Sequence, residues 1–328
     1  MEPVRILVAG AGFMGRTHVE GAKRFKSVRY AGVADSDLAR ARALAAEARA
    51  PAFASVEEAL ERVRPEAVDI CLPTRLHLET IRLCAERGVD VLCEKPLVRH
   101  GAEADKVLAL VRRHGIRLMV AQVLRFWPEY CHAIESGRSG RYGAVLAAHC
   151  RRLSAPPAWN KWMKKPESGG TAIDLQIHDM DFLLQLLGRP RAISAAGRVV
   201  GGSVNYVYNR LLYPSSGVPA TVESSSLMPE SYPFRMFFSI EFERAIMEMD
   251  FWRPKGRRLR VFPRKGPAFC PKLPKLDPYG AEVDYFARCL RSGRPFERCP
   301  LEESVAALRM CLASEKSCLT GRPASLSG

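Results

Sequence analysis

Apolar and polar positions follow two different rhythms along the chain. Through the first 120 residues, short continuous apolar runs alternate with helix-period segments. "RILVAG" predicts a strand and is followed by a helix through Phe25. "VRYAGVAD" predicts the next strand, and Asp37 to Arg49 an Ala-rich helix. "AVDICLP" and "VDVLCEKP" predict further strands separated by a helix from about Leu76 to Arg87, and a helix from Ala102 to His114 leads into "RLMVAQ". Strands that are apolar throughout, joined by helices, imply a parallel sheet covered on both faces.

Beyond Gln122 the rhythm changes. A helix over Pro128–Ser136 precedes the strand "AVLAAHCRRL", a polar, Trp-containing loop to Ser168, and a helix from Ala172 to Leu187. Then "RAISAAGRVV", "VNYVYNRLLYP", "PATVESSSLM", "FRMFFSIEF" and "RAIMEMDF" follow almost without interruption, before two helices over Tyr279–Arg291 and Leu301–Thr320. Strands in succession imply an antiparallel or mixed sheet. The expectation is an α/β protein: a doubly wound parallel sheet over residues 1–122, then an α+β domain over 123–328 with a large, mostly antiparallel open sheet.

The helix inside "GGTAIDLQIHDMDFLLQLLG" breaks the usual amphipathic rule. At about 100° per residue, Asp174, His178, Asp181 and Gln185 share an arc of roughly 60°, and the rest of the wheel is largely apolar. A surface helix is the reverse, a polar cylinder with an apolar stripe. A mostly buried helix therefore carries one narrow polar ribbon. Taken singly, Asp174 can be a first-turn acid complementing the helix dipole, and His178 a satisfied interior histidine.

Composition narrows the classes. The chain has 328 residues, a size that favours two domains. No apolar run approaches the ~18 residues of a membrane span, and the N-terminal apolar run reads as a strand rather than a signal peptide. Ten cysteines without a CxxC pair fit reduced thiols in a cytoplasmic protein. The net charge of +15 is mostly dispersed. Its one concentration, Phe251 to Lys275, reads as a solvated strand and loop in preference to a nucleic-acid surface.

"VAGAGFMG" places Gly10, Gly12 and Gly15 directly after the first strand and at the start of a helix. Glycines allow a tight turn, close backbone approach to a pyrophosphate and close helix–sheet packing, while the helix N-terminus offers N–H groups and positive dipole. Asp35 ends the second strand at the spacing expected of a ribose-binding acid. Asp35 and Asp37 oppose a 2′-phosphate, so NAD is expected to be preferred over NADP, although Arg40 and Arg42 follow closely.

The pieces "GAGFMG", "PTRLH", "CEKPL", "RFWPEY", "GGTAIDLQIHDMD", "EVDYFARCLRSGRPF" and "LEESVAALRMCLASEKSCLTGRP", in this order, resemble the glucose-fructose oxidoreductase / inositol dehydrogenase / MocA family over nearly the whole chain. Leu72 departs from the threonine, and Gln176 from the glycine, that many members carry. The resemblance implies hydride transfer between NAD(P) and a hydroxyl-bearing carbon of a sugar, cyclitol or derivative held between the two domains, against which the polar ribbon packs. It implies a catalytic set of Lys95, Asp174 and His178. Cofactor contacts are implied for Gly10, Gly12, Phe13, Met14, Gly15, Asp35, Leu72, Pro73, His77, Glu94, Lys95 and Gln122. Substrate contacts are implied for Lys95, Arg125, Trp162, Asp174 and His178, no metal is expected, and a homodimer or homotetramer forms through the second sheet. A non-enzymatic NAD(P)-binding regulator on the same fold is the rival reading. Arg125, Lys161, Lys164 and Lys165 further suggest a cationic rim and an anionic sugar derivative. Whether Lys95–Pro96 is cis stays open at this level.

Overall fold

The computed structural model describes residues 2–156 and 168–326. The chain forms two compact units, residues 1–126 with 276–305, and residues 127–275 with 306–328. The first unit opens with β1 (Val4–Ala9), α1 (Phe13–Ala22), β2 (Val28–Ala34), α2 (Leu38–Ala48), β3 (Ala52–Phe53), α3 (Val56–Val63), β4 (Ala67–Ile70), α4 (His77–Ala85), β5 (Asp90–Glu94), α5 (Gly101–His114) and β6 (Leu118–Ala121). Its sheet runs β3-β2-β1-β4-β5-β6 with every pairing parallel. The strand order reverses between β1 and β4, and the loops at the carboxyl ends of those strands bound the crevice where such sheets take ligands.

β3 and α3 fall in a stretch where the apolar pattern predicted no element. α3 begins at Ser55, whose hydroxyl accepts from the Glu58 N–H at 3.1 Å. That serine with a glutamate three residues on is a capping signature legible in the sequence; only two buried residues, Ala59 and Leu60, lie on the helix, too few to register as a periodic run.

The second unit contains α6 (Pro128–Arg138), β7 (Val145–Leu153), α7 (Ile177–Leu187), β8 (Ala192–Val200), β9 (Ser203–Leu212), β10 (Ala220–Ser225), β11 (Arg235–Phe242), β12 (Ala245–Asp250) and β13 (Leu259–Pro263). Two C-terminal helices follow, α8 (Pro278–Ser292) and α9 (Leu301–Thr320), and then β14 (Ala324–Ser325). The sheet order is β13-β12-β11-β7-β10-β9-β8-β14, antiparallel except where β10 runs parallel to β7. β11 alternates strictly between part-exposed and buried positions, as a sheet covered on one face requires. On the covered face Tyr130 of α6, Phe182 of α7 and Phe238 of β11 meet with ring centroids 4.8–5.1 Å apart, in edge-on and tilted geometries that aromatic quadrupoles favour. Leu146, Val199, Val200, Tyr208 and Ile246 remain exposed.

α8 corrects the expected boundary. The sequence pattern assigned everything after residue 122 to the second domain, yet Leu276–Val305 belongs to the first unit. Phe286, Val283 and Ala287 of α8 join Val4, Ile6, Leu92 and Met119 in one buried cluster beneath the parallel sheet. The approach of α8 to α1 is set by glycine: a Cβ on Gly280 would run into the backbone of Gly21. On the same face, Val19, Ala41, Leu44 and Ala45 from α1 and α2 form a second buried cluster with Val8 and Val33.

Candidate functional site

In the first unit, the turn after β1 makes a cradle. Gly10 has φ +104°, and a Cβ there would lie 2.6 Å from the Cys71 carbonyl oxygen, so only glycine fits this conformation and this approach. A Cβ on Gly15 would strike the Gly10 carbonyl, which lets α1 start directly beneath the turn. At Gly12, by contrast, a Cβ would meet nothing within 4 Å, and no side chain caps α1. An uncapped helix N-terminus facing open space fits the pyrophosphate of a dinucleotide. Phe13 is 58% exposed at the same turn, with Met14 part-buried behind it.

Asp35 sits at the end of β2. Its Oδ2 accepts from the Ala11 N–H at 2.8 Å and its Oδ1 from the Asp37 N–H at 2.8 Å, so the acid is tied to the glycine turn itself. Arg40 lies across both acids, with Nε 2.9 Å from Asp37 Oδ2 and a terminal nitrogen 3.4 Å from Asp35 Oδ1. Arg40 lies within α2, and its side chain turns back over the two carboxylates and partly neutralises them.

The loops after β4, β5 and β6 complete this edge. Leu72 and Pro73 lead into α4, where buried His77 places Nε2 2.8 Å from the Leu72 carbonyl and Nδ1 3.1 Å from those of Pro96 and Leu97. His77 thereby staples the loop after β4 to the loop after β5; burial lowers its pKa and outweighs these bonds, which raise it. Glu94 ends β5 and accepts the Lys95 N–H at 2.9 Å; Lys95 itself is part-exposed, and the Lys95–Pro96 bond is cis. Gln122, after β6, is 1% exposed, and its Nε2 has no hydrogen-bond partner among the described residues. A buried donor left in that state costs about 1–3 kcal/mol, which a ligand carbonyl would recover.

Sequence reasoning missed a group beneath this edge. His18 on α1, Asp69 in β4 and Glu94 in β5 form a buried chain joined by Cys71. Asp69 was detectable, because an acid among the buried residues Ala67, Val68 and Ile70 of a central parallel strand has to find a partner. Burial opposes the charge of His18, but the Asp69 carboxylate and then Cys71 outweigh it and raise its pKa well above the usual value.

In the second unit the expected continuous α-helix is interrupted. Thr171–Leu175 is a π-helical turn, closed by Gln176 N–H donating to the Thr171 carbonyl at 3.0 Å, and α7 starts after it. Gly170 feeds this turn at φ +59°, where a Cβ would lie 2.8 Å from that of Ser203. Gln176, at the junction, is held from both sides: Asn209 Nδ2 donates to its Oε1 at 2.9 Å, and its Nε2 donates to Ser314 Oγ at 3.0 Å. These bonds fix the glutamine at the junction between the π turn and α7.

The four-residue ribbon divides accordingly. Asp181 is buried and Gln185 accepts from Arg138 at 2.7 Å. From Ser168 to Leu183, Asp174 and His178 are the part-exposed residues and all others are buried. Asp179 makes a two-pronged pair with Arg152 at 2.8 and 2.9 Å. That pair anchors α7 to β7 one residue from His178.

Arg125 does not line a cationic rim. It is 3% exposed, donating to the Arg298 carbonyl at 2.9 Å and to Glu303 at 2.6 Å within the first unit. Trp162, Lys161, Lys164 and Lys165 lie outside the described residues. In the basic stretch after Phe251, Arg258 lies over the Phe251 ring at 4.0 Å, Arg264 pairs with Glu241 and Arg253 with Glu248, with β13 inside it. Among the described residues no helix is long and apolar enough to cross a membrane.

Residues 4–122 match the oxidoreductase family with an NAD-binding Rossmann fold, and residues 131–248 the GFO/IDH/MocA C-terminal domain. The chain is 29% identical to a D-xylose 1-dehydrogenase (NADP(+)) 2 of Haloferax volcanii, covering 97% of this chain and 98% of the relative. It is 30% identical to an inositol 2-dehydrogenase of Rhizobium meliloti over 71% of this chain and 72% of that protein. The solved structure of a UDP-N-acetylglucosamine 3-dehydrogenase from Acidithiobacillus ferrooxidans superposes with a TM-score of 0.81 at 25% identity, covering 97% and 98% of the two chains.

Proposed function

Because the chain belongs to the Gfo/Idh/MocA family of oxidoreductases, we propose that it oxidises a secondary alcohol or hemiacetal carbon of a sugar, cyclitol or sugar derivative, or reduces the corresponding carbonyl. The carrying observation is the isolation of Asp174 and His178 as the part-exposed residues on an otherwise buried stretch. The turn Gly10–Gly15 and Asp35, with Leu72, Pro73, His77, Glu94 and Gln122, would hold a nicotinamide dinucleotide. That group, when bound, supplies the hydride acceptor or donor.

The protein's own task is the proton. Oxidation of an alcohol requires loss of the hydroxyl proton, and the imidazole of His178 is the base on that stretch that accepts it. Lys95 stabilises the negative charge that develops on the same oxygen. Asp174, one turn before His178, orients the substrate or the imidazole. In reduction the same groups return the proton. Relatives named for xylose, inositol and UDP-N-acetylglucosamine support a polyhydroxylated ring substrate, and the last supports an anionic one.

The test is turnover of xylose, myo-inositol and UDP-N-acetylglucosamine with NAD⁺ and NADP⁺. With a productive pair, His178→Ala lowers kcat by about 10²–10⁴, the usual worth of one acid/base group, and leaves cofactor affinity unchanged. Lys95→Ala is also impaired, and the two losses are far from additive. Near-wild-type turnover in either variant removes that residue from the mechanism.

A further inference from the structure

Beneath the carboxyl ends of β1, β4 and β5 lies a polar cluster that the reaction above does not use. His18 and Asp69 have no exposed surface, and Glu94 is 6% exposed. His18 Nδ1 stands 2.9 and 3.1 Å from the two oxygens of Asp69. On the other side of the ring, Nε2 is 3.2 Å from Glu94 Oε1, an ion-pair distance without an aligned hydrogen bond. The second oxygen of Glu94 accepts the backbone N–H of Lys95. Cys71 Sγ lies 3.4 Å from Asp69 Oδ1 and 3.6 Å from His18 Nδ1. The Tyr30 hydroxyl donates to the His18 carbonyl at 3.1 Å, and the Tyr279 ring of α8 lies 6.4 Å from the imidazole.

Two carboxylates on opposite sides of one buried imidazole impose a charge assignment. Each ionised acid needs a positive or hydrogen-bonding partner in a medium that solvates it poorly. Among the groups just named, an imidazolium is the one cation between them, with Nδ1 bonded to Asp69 and Nε2 at ion-pair distance from Glu94. Asp69 holds one face of the ring, so the other face presents a fixed positive charge to Glu94. Glu94 in turn sits at the strand end immediately before Lys95.

We propose that His18, clamped by Asp69, is a positioning residue that holds the Glu94 carboxyl group aimed to accept the ribose hydroxyls on the nicotinamide side of the dinucleotide. This rests on the reading that the glycine turn and Glu94 hold a nicotinamide dinucleotide. The device acts on one half of that ligand: the adenine half meets the glycine turn and Asp35, and the cluster lies beneath the end of β5.

Titration calorimetry with NAD⁺ and with ADP, which lacks the second ribose, separates the two halves. His18→Gln and Glu94→Gln each weaken NAD⁺ binding about tenfold or more, the worth of a hydrogen bond to a charged group, while ADP affinity stays within about twofold of wild type. The double variant is no weaker than the worse single one, because both changes remove one interaction. Asp69→Asn keeps the shape but withdraws the clamping charge, so its NAD⁺ affinity falls as pH rises from 6 to 9 while that of wild type stays level and ADP binding is unaffected in both.

Wild-type NAD⁺ affinity in His18→Gln alongside a weakened Glu94→Gln overturns the proposal, as does an unchanged Glu94→Gln. Equal losses for ADP and NAD⁺ also overturn it, since they show His18 merely supporting the fold. If His18→Gln does not fold by circular dichroism, a level pH series in Asp69→Asn is decisive against it. Failure of the wild type to bind either ligand refutes the dinucleotide reading instead, and is distinguishable from all of these.

Discussion

The buried pair Arg152–Asp179 offers a quantitative test of how the histidine-bearing helix is held. The guanidinium of Arg152 is 2% exposed and the Asp179 carboxylate 1% exposed, and two N–H···O bonds of 2.8 and 2.9 Å join them. Arg152 cannot shed its charge, so Asp179→Asn leaves a buried cation with one amide oxygen in place of a carboxylate. Breaking a buried pair from one side costs about 3–5 kcal/mol. For a unit of this size each kcal/mol moves the melting temperature by about 2–4 °C, which gives a fall of about 6–20 °C. Scanning calorimetry and near-ultraviolet circular dichroism read it out. Replacing both partners with apolar residues of similar volume, Arg152→Met with Asp179→Leu, recovers most of the loss, because no uncompensated charge remains. A melting temperature for Asp179→Asn within about 2 °C of wild type, or a double variant as unstable as the single, refutes the reasoning.

Other outcomes follow from the same geometry. NAD⁺ binds more tightly than NADP⁺ by calorimetry because Asp35 and Asp37 face the adenosine ribose, and Arg40→Ala widens that preference by removing the cation that lies across both acids; tighter NADP⁺ binding in wild type overturns the role given to Asp35. The apolar residues exposed on the second sheet, Leu146, Val199, Val200, Tyr208 and Ile246, are of the kind that a homodimer or homotetramer would cover, so the expected outcome of light scattering at micromolar protein is at least twice the monomer mass, and a monomer refutes this. His18 has a folded pKa raised by Asp69 and Cys71 against burial; its stabilisation is therefore complete below the unfolded value of about 6.5 and is lost as pH rises through the raised folded value. The melting-temperature gap between wild type and His18→Gln accordingly narrows toward alkaline pH, and a gap that widens contradicts the assignment.

Much of the first unit and half of the candidate site were legible from local pattern. Six residues of "GAGFMG" define a turn whose conformation is intrinsic to glycine, and Asp35 follows at a spacing that one strand–helix–strand unit enforces. The apolar runs of β1, β4 and β5 declare themselves because a strand buried on both faces must be apolar throughout. Asp174 and His178 could be picked out because one turn of helix brings them to the same side. Periodicity describes an element relative to its own axis and nothing more. It therefore placed α8 by its position in the chain, whereas Gly21 and Gly280, far apart in sequence, decide by steric exclusion that it closes the parallel sheet. It drew a uniform helix where Gly170 and the Asn209–Gln176–Ser314 bonds hold a π turn. Nearness in sequence to the expected pocket put Arg125 at a rim, although Glu303 and the Arg298 carbonyl hold it inside the unit. Charged side chains are the hardest to read in sequence because their state depends on a partner supplied by another element. His18 between Asp69 and Glu94, and Arg152 on Asp179, acquire their roles only when the sheets bring those partners within hydrogen-bond distance and exclude the water that would otherwise have solvated each alone.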